Sequence, residues 1–255
     1  MTEQTDLLLP KGEWVFDTEV TRVFDDMLKR SIPQYEVMRD SVDMISRKLL
    51  QPGGMVLDLG ASRGEGVNRL IERYGARNRY HLVETSAPMA EVIRGRFSGL
   101  IEAGIVTVYE EDLRSFFPPV VPGSVDVVLC VLTLMFVPVQ YRQEILRTSY
   151  EAVRPGGGII LVEKILGTGA DAERFMVEFY HTLKREHGYS REQVEAKSRS
   201  LESVLVSNSE QENKEMLLGA GFKEVNCFWK WMNFAGYLGL KEAKEKQIEF
   251  RNQVC

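Results

Sequence analysis

A glycine-containing turn is the first place in the sequence where residue types and spacing suggest binding chemistry. The apolar run 55–59 ends in Asp58-Leu59 and continues into Gly60-Ala61-Ser62-Arg63-Gly64, after which a helical pattern begins. Such a turn lets a ligand approach the backbone, and the N-terminus of the following helix offers free N–H groups. A dinucleotide fingerprint would need a glycine where Ser62 stands, and Asp58 would repel a pyrophosphate. The turn therefore favours a cationic ligand without phosphate, such as S-adenosylmethionine (SAM).

Two further acids follow the next predicted strands. Glu84 closes the strand Tyr80 to Val83, and Asp112 with Leu113 follows the strand Ile105 to Tyr109. Carboxyl ends of parallel strands meet at one edge of an open α/β sheet, where such folds bind ligands. We predict that Glu84 accepts hydrogen bonds from ribose hydroxyls and that Asp112 accepts from an adenine amino group above Leu113. The alternative is that both acids cap helices.

Other chemistry-bearing residues have weaker patterns. Arg63 either folds back on Glu65 or Asp58, or binds an anionic substrate. The histidines are scattered and lack a Ser or Cys partner at a nucleophile turn, which argues against a hydrolase; they are His81, His181 and His187. An aromatic set on late strands is predicted to belong mainly to the core, with an acceptor pocket as the alternative: Phe228, Trp229, Trp231 and Phe234.

Hydrophobic periodicity predicts the elements that position these residues. Helical spacing covers Phe16 to Leu28 and Tyr35 to Leu50 before the first strand, and strand and helix patterns alternate afterwards. Further strands are predicted at Val125 to Leu132, Ile159 to Val162, Val225 to Trp231 and Phe234 to Leu240, with a helix at Val139 to Val153, a turn at Pro155-Gly156-Gly157-Gly158 and an inserted helical segment at Ala170 to Leu218. Repeated βα units predict an α/β fold with a mostly parallel sheet and helices on both faces.

Composition limits the class of protein. The 255 residues suffice for one elaborated domain, predicted at residues 16–241 between a loose tail at 1–15 and another at 242–255. A net charge of -5 argues against nucleic acid as the partner, and no apolar run reaches the roughly 20 residues of a membrane span. Three distant cysteines without zinc-site spacing, and an N-terminus unlike a secretory signal, predict a reduced, cytoplasmic protein with no metal.

The turn resembles motif I of the class I SAM-dependent methyltransferases, and a longer, collinear resemblance extends from about Val20 to Lys241. It is carried by Phe24-Asp25-Asp26-Met27, Arg30-Ser31-Ile32-Pro33-Gln34-Tyr35, Thr133-Leu134-Met135-Phe136, Pro155-Gly156-Gly157-Gly158, Glu163-Lys164, Lys184-Arg185-Glu186-His187-Gly188-Tyr189-Ser190 and Asn233-Phe234. These segments are similar to the carboxy-SAM synthase family, whose members make carboxy-SAM from SAM and prephenate for tRNA wobble-uridine modification. The resemblance implies a Rossmann-like class I methyltransferase fold.

The resemblance also implies site residues. By position, Tyr35, Gly60, Glu84 and the Asp112-Leu113 pair surround the cofactor. Val131 stands where the family has a cofactor-contacting asparagine. Ser198 stands where the family has an arginine that clasps the extra carboxylate, and Arg199 follows one place later. One residue on a helix is a rotation of about 100°, so Arg199 replaces that arginine only if the helix or the side chain shifts.

Three functions are compatible with these residues. Methyl transfer from SAM to an unidentified acceptor is placed first, because the residues specific to the synthase are altered. Carboxy-SAM synthesis is the alternative, with Arg199 as its candidate catalytic residue, and a non-catalytic SAM-binding protein is the third. The cofactor is SAM or carboxy-SAM, and the partner is a small-molecule substrate.

A homodimer is also expected, because the similar family pairs through its helical insertion. The insertion of this chain keeps an apolar stripe at helical spacing: Phe175, Met176, Phe179, Tyr180 and Leu183. The alternative is that this stripe packs on its own sheet.

Overall fold

The structure, a computed structural model, describes residues 4–243. Its helices are α1 (Thr18–Ser31), α2 (Tyr35–Leu49), α3 (Glu65–Tyr74), α4 (Ala87–Arg96), α5 (Ser98–Glu102), α6 (Val139–Ala152), α7 (Ala170–Glu186), α8 (Arg191–Leu201) and α9 (Glu210–Ala220). Its strands are β1 (Met55–Leu59), β2 (Arg79–Val83), β3 (Val106–Tyr109), β4 (Val125–Val131), β5 (Val153–Leu166), β6 (Asn208–Ser209), β7 (Glu224–Trp231) and β8 (Phe234–Leu240). Between residues 4 and 243, no helix is long and apolar enough to cross a membrane.

The strands form one open sheet in the order β3-β2-β1-β4-β5-β8-β7, and the short β6 pairs with β5. Strands β1 to β5 are parallel, whereas β8 runs antiparallel to both β5 and β7. The predicted α/β class with a mostly parallel sheet is confirmed. The order reverses at β1 and β4, which places the carboxyl end of β1 at the point where open α/β sheets bind ligands.

Both faces of the sheet are covered, because nearly all residues of the central strands are apolar. In β4, Val127 and Leu129 pack on one face with residues of α2 and α3, while Val128 and Cys130 pack on the other with residues of α6 and α9. Side chains along a strand point alternately to opposite faces, so a continuous apolar run is the pattern of a strand buried on both sides. The sheet therefore holds the carboxyl ends of its strands rigidly.

Helices α7 and α8 pack against each other, and α7 also packs against α1. By contrast, α9, which the sequence grouped with them, packs on α6 and on the last two strands. The two capping boxes, at Ser190 before α8 and at Ser209 before α9, define where these helices begin. The predicted insertion thus divides into a pair of helices, α7 and α8, and the separate helix α9.

The predicted turn at Pro155 to Gly158 is wrong, because these residues lie within β5. The pairing with β4 shifts there: Val125 lies opposite Val153, and Val127 lies opposite Gly158. The extra residues bulge from the strand, and Gly156 takes a positive φ of 74°. The glycines therefore permit a bulge and not a chain reversal.

The expectation of a loose segment up to residue 15 is also wrong for its described part. Asp6 is fully buried, and Trp14 is 7% exposed. Asp6 accepts hydrogen bonds from the Lys197 ammonium (2.7 Å) and the Tyr189 hydroxyl (2.5 Å), and the backbone N–H of Trp14 donates to the carbonyl of Ser200. We call residues 4–17 the N-terminal segment. The tail predicted at 242–255 lies outside the described residues from 244 onwards.

Candidate functional site

The glycine turn after β1 takes the shape that its residue types predict. Gly60 has a φ of 82°, and a Cβ there would lie 2.4 Å from the side chain of Thr133. Gly64 has a φ of 85° and would bring a Cβ within 2.6 Å of the Phe97 ring. Ser62 also has a positive φ, 52°, which costs energy for a residue other than glycine. The turn is therefore closely packed and held in a strained conformation.

Asp58 is the buried carboxylate of the turn. It is 2% exposed, and its Oδ2 has no hydrogen-bond partner among residues 4–243. Burial raises the pKa of Asp58 to about 7, and the nearby Arg39 opposes that rise. A Cβ on Gly66 would lie 2.0 Å from the same Oδ2, so Gly66 makes room for this carboxylate beside the first turn of α3. An unpaired buried carboxylate of this kind suits a cationic group such as the SAM ammonium.

Glu84 follows β2 and is 7% exposed. Its two oxygens accept from the backbone N–H of Ser62 (2.8 Å) and of Ser86 (2.7 Å). Burial raises the pKa of Glu84, and these backbone hydrogen bonds oppose the rise. A carboxylate can accept about four hydrogen bonds, so the side chain can hold the turn and still accept from ribose hydroxyls. The N-cap of α4 is Ser86, whose side chain accepts from the Met89 N–H, so Glu84 is not itself the helix cap of the alternative.

Asp112 follows β3 and forms a local turn. Its carboxylate accepts from the backbone N–H of Arg114 (2.8 Å) and from the guanidinium of the same residue, which lowers the pKa of Asp112. Leu113 packs against the core on one face of the sheet. In this structure Asp112 makes the contacts of a turn-capping acid, and its contact with adenine stays a prediction.

A cavity of about 660 Å³ opens beside the turn. This volume lies in the range of small-molecule sites, about 300–1,000 Å³. Of the sequence-predicted residues, those that line it are Tyr35, Asp58, Gly60, Ser62, Val131 and Arg199. The predicted residues that do not line it are Gly64, Glu84, Asp112 and Leu113. These four residues lie in the turn and just after the carboxyl ends of β2 and β3, at the same edge of the sheet as the cavity.

Ser198 and Arg199 both line the cavity. They lie near the end of α8, which the N-terminal segment holds in place through Asp6 and Lys197. Arg199 is exposed at this position and makes no ion pair within the described part of the chain. The helix therefore brings both residues to the wall of the cavity.

Arg39 is a cavity residue that sequence reasoning missed. It lies on α2, is 8% exposed, and donates from Nη2 to the carbonyl of Glu65 at 2.5 Å. It also favours the charged form of Asp58. The only sequence signal for Arg39 was its place at a buried position of a predicted helix, because an arginine is rarely buried without a partner.

Lysines also line the cavity: Lys164 from β5, Lys184 from α7 and Lys197 from α8. Lys197 pairs with Asp6, whereas the other two ammonium groups lie over the ring of Tyr180, at 5.3 Å and 4.7 Å from its centroid. In the sequence, Lys164 and Lys184 belong to two separate segments that resemble the synthase family, and nothing indicated that they lie close together. Their elements are adjacent only after folding.

Glu163 positions the loop that faces Gly60. It is 3% exposed, and its Oε1 accepts from the backbone N–H groups of Thr133 (3.3 Å) and Leu134 (3.0 Å). Burial raises the pKa of Glu163 to about 8. Because Thr133 contacts the position of Gly60, Glu163 fixes one wall of the site.

The structure corrects one of the two roles suggested for Arg63, the contact with Glu65 or Asp58, while binding of an anionic substrate stays a prediction. Its guanidinium pairs with Asp25 of α1 at 3.2 Å, and not with Glu65 or Asp58. Glu65 pairs instead with Arg96 of α4 at 2.9 Å. Arg63 does not line the main cavity, so it ties the turn to α1.

Comparisons with known proteins agree with this architecture. Residues 56–157 match a family model described as a methyltransferase domain. An O-methyltransferase family protein from Burkholderia thailandensis superposes with a TM-score of 0.61 at 16% identity, covering 90% of this chain and 61% of that one. A SAM-dependent methyltransferase from Aquifex aeolicus gives a TM-score of 0.53 at 14% identity, covering 88% and 98%. These likenesses confirm the class I methyltransferase fold.

Full-length relatives are closer in sequence. The carboxy-S-adenosyl-L-methionine synthase of Wolinella succinogenes is 34% identical over 232 residues, which cover 91% of this chain and 95% of the relative. That of Desulfotalea psychrophila is 31% identical over 249 residues, which cover 94% and 99%. The chain thus belongs to the carboxy-S-adenosyl-L-methionine synthase family, within the SAM-dependent transferases.

Proposed function

We propose that SAM binds along the carboxyl edge of β1, β2 and β3. Its ammonium group lies beside Asp58, its ribose hydroxyls donate to Glu84, and its adenine lies near Asp112 and Leu113. The observation that supports this arrangement is the buried, unpaired Oδ2 of Asp58 next to the turn. A cation bound there supplies the missing partner and favours the ionised carboxylate.

We propose further that the chain makes carboxy-SAM from SAM and prephenate. In the net reaction the methyl group of SAM loses a proton and gains a carboxylate, while prephenate becomes phenylpyruvate and water is released. Arg199 lines the same cavity as Asp58 and would hold the new carboxylate in a charge-assisted contact. The similarity along nearly the whole chain to synthases of this name supports the same choice.

Methyl transfer to an unidentified acceptor is the second candidate. Val131 and Ser198, which replace the asparagine and arginine of the similar family, also line the cavity. Without that asparagine and arginine, the site offers fewer polar contacts to a carboxylate and would favour a carboxylated cofactor less. Methyl transfer needs chiefly that an acceptor be aligned with the methyl group.

Incubation of the protein with SAM and prephenate, followed by mass spectrometry of the nucleosides, distinguishes the two. We expect carboxy-SAM from the parent protein and little or none from Arg199→Ala. Arg191→Ala is the matched control, because Arg191 is an exposed arginine of the same helix that does not line the cavity. Absence of carboxy-SAM from the parent protein, with SAM bound, would contradict the synthase and favour methyl transfer.

We also propose that the chain forms a homodimer through α7 and works in the reducing cytoplasm. Phe175 is 61% exposed and Phe179 is 43% exposed, and the Phe179 ring lies 5.4 Å from that of Trp231. Exposed apolar clusters of this kind are typical of interaction surfaces. The described cysteines, Cys130 and Cys227, are both free thiols.

A further inference from the structure

Lys164 and Lys184 place two ammonium groups over one aromatic ring inside the cavity. Lys164 comes from the end of β5, and Lys184 comes from the last turn of α7. Their Nζ atoms lie 5.3 Å and 4.7 Å from the centroid of the Tyr180 ring. Tyr180 is 8% exposed, so the ring is a fixed part of the cavity wall.

Neither lysine forms an ion pair with an acid in the part of the chain that the structure describes. The acids that influence them are engaged elsewhere. Asp6 pairs with Lys197 at 2.7 Å, and Glu173 accepts from the backbone N–H of Gly167 at 2.6 Å. The positive charge on this wall is therefore not neutralised by a protein carboxylate in direct contact.

The lowered pKa values of the two lysines reflect their burial and the lack of a carboxylate in direct contact. Burial, followed by the charges of Lys164 and Lys197, lowers the pKa of Lys184 to about 7, while Asp6 opposes the shift. Burial also lowers the pKa of Lys164. Burying like charges together is costly unless an anion joins them, and a carboxylate ligand would relieve this cost.

The wall around the two lysines also contains His181, Glu173 and apolar side chains. The Phe234 ring packs against Tyr180 with its centroid at 5.5 Å, and Val177 lines the cavity beside them. Such a wall accommodates a ring or another apolar body attached to an anionic group. We propose that Lys164 and Lys184 form a carboxylate-binding subsite for the second substrate, separate from the position of Arg199.

This subsite deepens the proposed function and rests on it. Prephenate has two carboxylates, of which one is transferred and one remains in phenylpyruvate. The transferred group would end beside Arg199, and the retained group would be held by Lys164 and Lys184. Phenylpyruvate, the product that keeps this carboxylate, is therefore a direct probe of the subsite.

The test is calorimetric titration of phenylpyruvate into the protein saturated with S-adenosylhomocysteine, with the neutral methyl ester of phenylpyruvate in parallel. The variants are Lys164→Met and Lys184→Met. Lys48→Met is the matched control, because Lys48 is an exposed lysine of α2 that does not line the cavity. Affinity for S-adenosylhomocysteine reports whether each variant keeps its fold and its nucleoside site.

We expect the parent protein and Lys48→Met to bind phenylpyruvate more tightly than its ester. Each cavity variant should lose at least about tenfold in affinity for the anion, as a lost charge-assisted contact implies, with unchanged binding of S-adenosylhomocysteine. Equal affinity of the parent protein and both cavity variants for phenylpyruvate would overturn the subsite. So would equal binding of the acid and its ester, or no binding of either, by the parent protein.

Failure of the synthase proposal has a different signature. If the parent protein makes no carboxy-SAM but binds phenylpyruvate through these two lysines, the subsite is supported and the synthase is contradicted. If carboxy-SAM forms and the KM for prephenate is the same in Lys164→Met, Lys184→Met and the parent, the synthase is supported and the subsite is contradicted.

Discussion

Asp58 shows how one residue can serve binding at the expense of stability. A buried carboxylate without a partner is destabilising, and the rise of its pKa to about 7 expresses this. In the proposed complex this cost would be removed, because a cation bound beside Asp58 would stabilise the charged form. Sites that bind ions commonly retain such locally unfavourable groups.

We predict that Asp58→Asn weakens SAM binding by about ten- to a hundredfold, since a charged hydrogen bond contributes about 1.5–3 kcal/mol. In the parent protein, SAM affinity should rise as the pH increases through about 7, because Asp58 loses its proton there. The variant should lack this dependence. Calorimetry between pH 6 and pH 8, about one unit to either side of that pKa, checks both statements.

The same substitution should have the opposite effect on the stability of the free protein. The folded-state pKa of Asp58 is raised above its ordinary value of 3.8, so the folded state loses stability as the pH rises from that value through about 7. Asp58→Asn removes this loss, and its melting temperature at pH 8 should exceed that of the parent. A variant that melts lower without ligand would contradict the assignment of Asp58 as an unpaired buried acid.

Glu84 differs from Asp58 because it already holds the turn through Ser62 and Ser86. We predict that Glu84→Ala costs about 1.5–3 kcal/mol of SAM binding free energy and that Glu84→Gln, which keeps an acceptor oxygen, costs less. Glu91→Ala controls for charge, because Glu91 is an exposed acid on α4. Unchanged affinity in Glu84→Ala, measured by calorimetry, would refute the ribose contact.

At the scale of elements, α8 depends on the N-terminal segment. Asp6 joins the segment to Lys197 of α8 and to Tyr189, and the backbone N–H of Trp14 donates to the carbonyl of Ser200 in the same helix. Trp14 and Phe16 also line the cavity. The segment thus forms part of the site and sets the position of the helix that carries Arg199.

We predict that Asp6→Ala lowers the free energy of unfolding by about 3–5 kcal/mol, because it leaves the Lys197 ammonium buried without its partner. The double variant Asp6→Ala with Lys197→Met should recover part of this loss. Urea denaturation of the two single variants, the double variant and the parent gives the coupling energy. Additive effects of the two substitutions would contradict a coupled buried pair.

The sequence predicted the elements well where periodicity reports burial. Apolar runs in β4 and β5 became central strands, and the amphipathic patterns of α2 and α3 became helices on one face. The acids at the strand ends were also predictable, because their positions follow from the parallel order of β1, β2 and β3. Local sequence patterns were therefore sufficient to place those residues whose position follows from a single helix or strand.

What the sequence did not predict depends on contacts between distant residues. Asp6 looked like part of a solvated tail because its partners, Tyr189 and Lys197, lie at the other end of the chain. Lys164 and Lys184 share Tyr180 only because β5 and α7 meet at the cavity. A charged residue in a single sequence reads as exposed unless its partner is known.

At the scale of the whole molecule, acids outnumber bases in the chain, whereas bases slightly outnumber acids in the lining of the cavity. The chain has a net charge of -5, and the charged residues that line its cavity are five bases, Arg39, Lys164, Lys184, Lys197 and Arg199, and four acids, Asp58, Glu65, Glu173 and Glu202. Basic residues on one wall of a cavity can bind an anionic group locally without giving the whole protein the positive charge that favours binding to nucleic acids. Asp58 supplies the opposite charge at the end where the SAM ammonium would bind.

The exposed face of α7 carries the last prediction, which concerns assembly. The apolar stripe of the helix divides into two parts: Tyr180 and Leu183 pack into the core, whereas Phe175 and Phe179 face outwards. The rings of Phe175 and Phe179 stack with their centroids 6.4 Å apart. A symmetric dimer would bury this outward part twice, once from each copy.

We predict a dimer mass in light scattering for the parent protein and a monomer mass for Phe175→Glu with Phe179→Glu. Val121→Glu, at another exposed apolar residue, should leave the dimer intact. A parent protein of monomer mass at micromolar concentration would contradict the dimer, and so would a dimer that survives the double substitution.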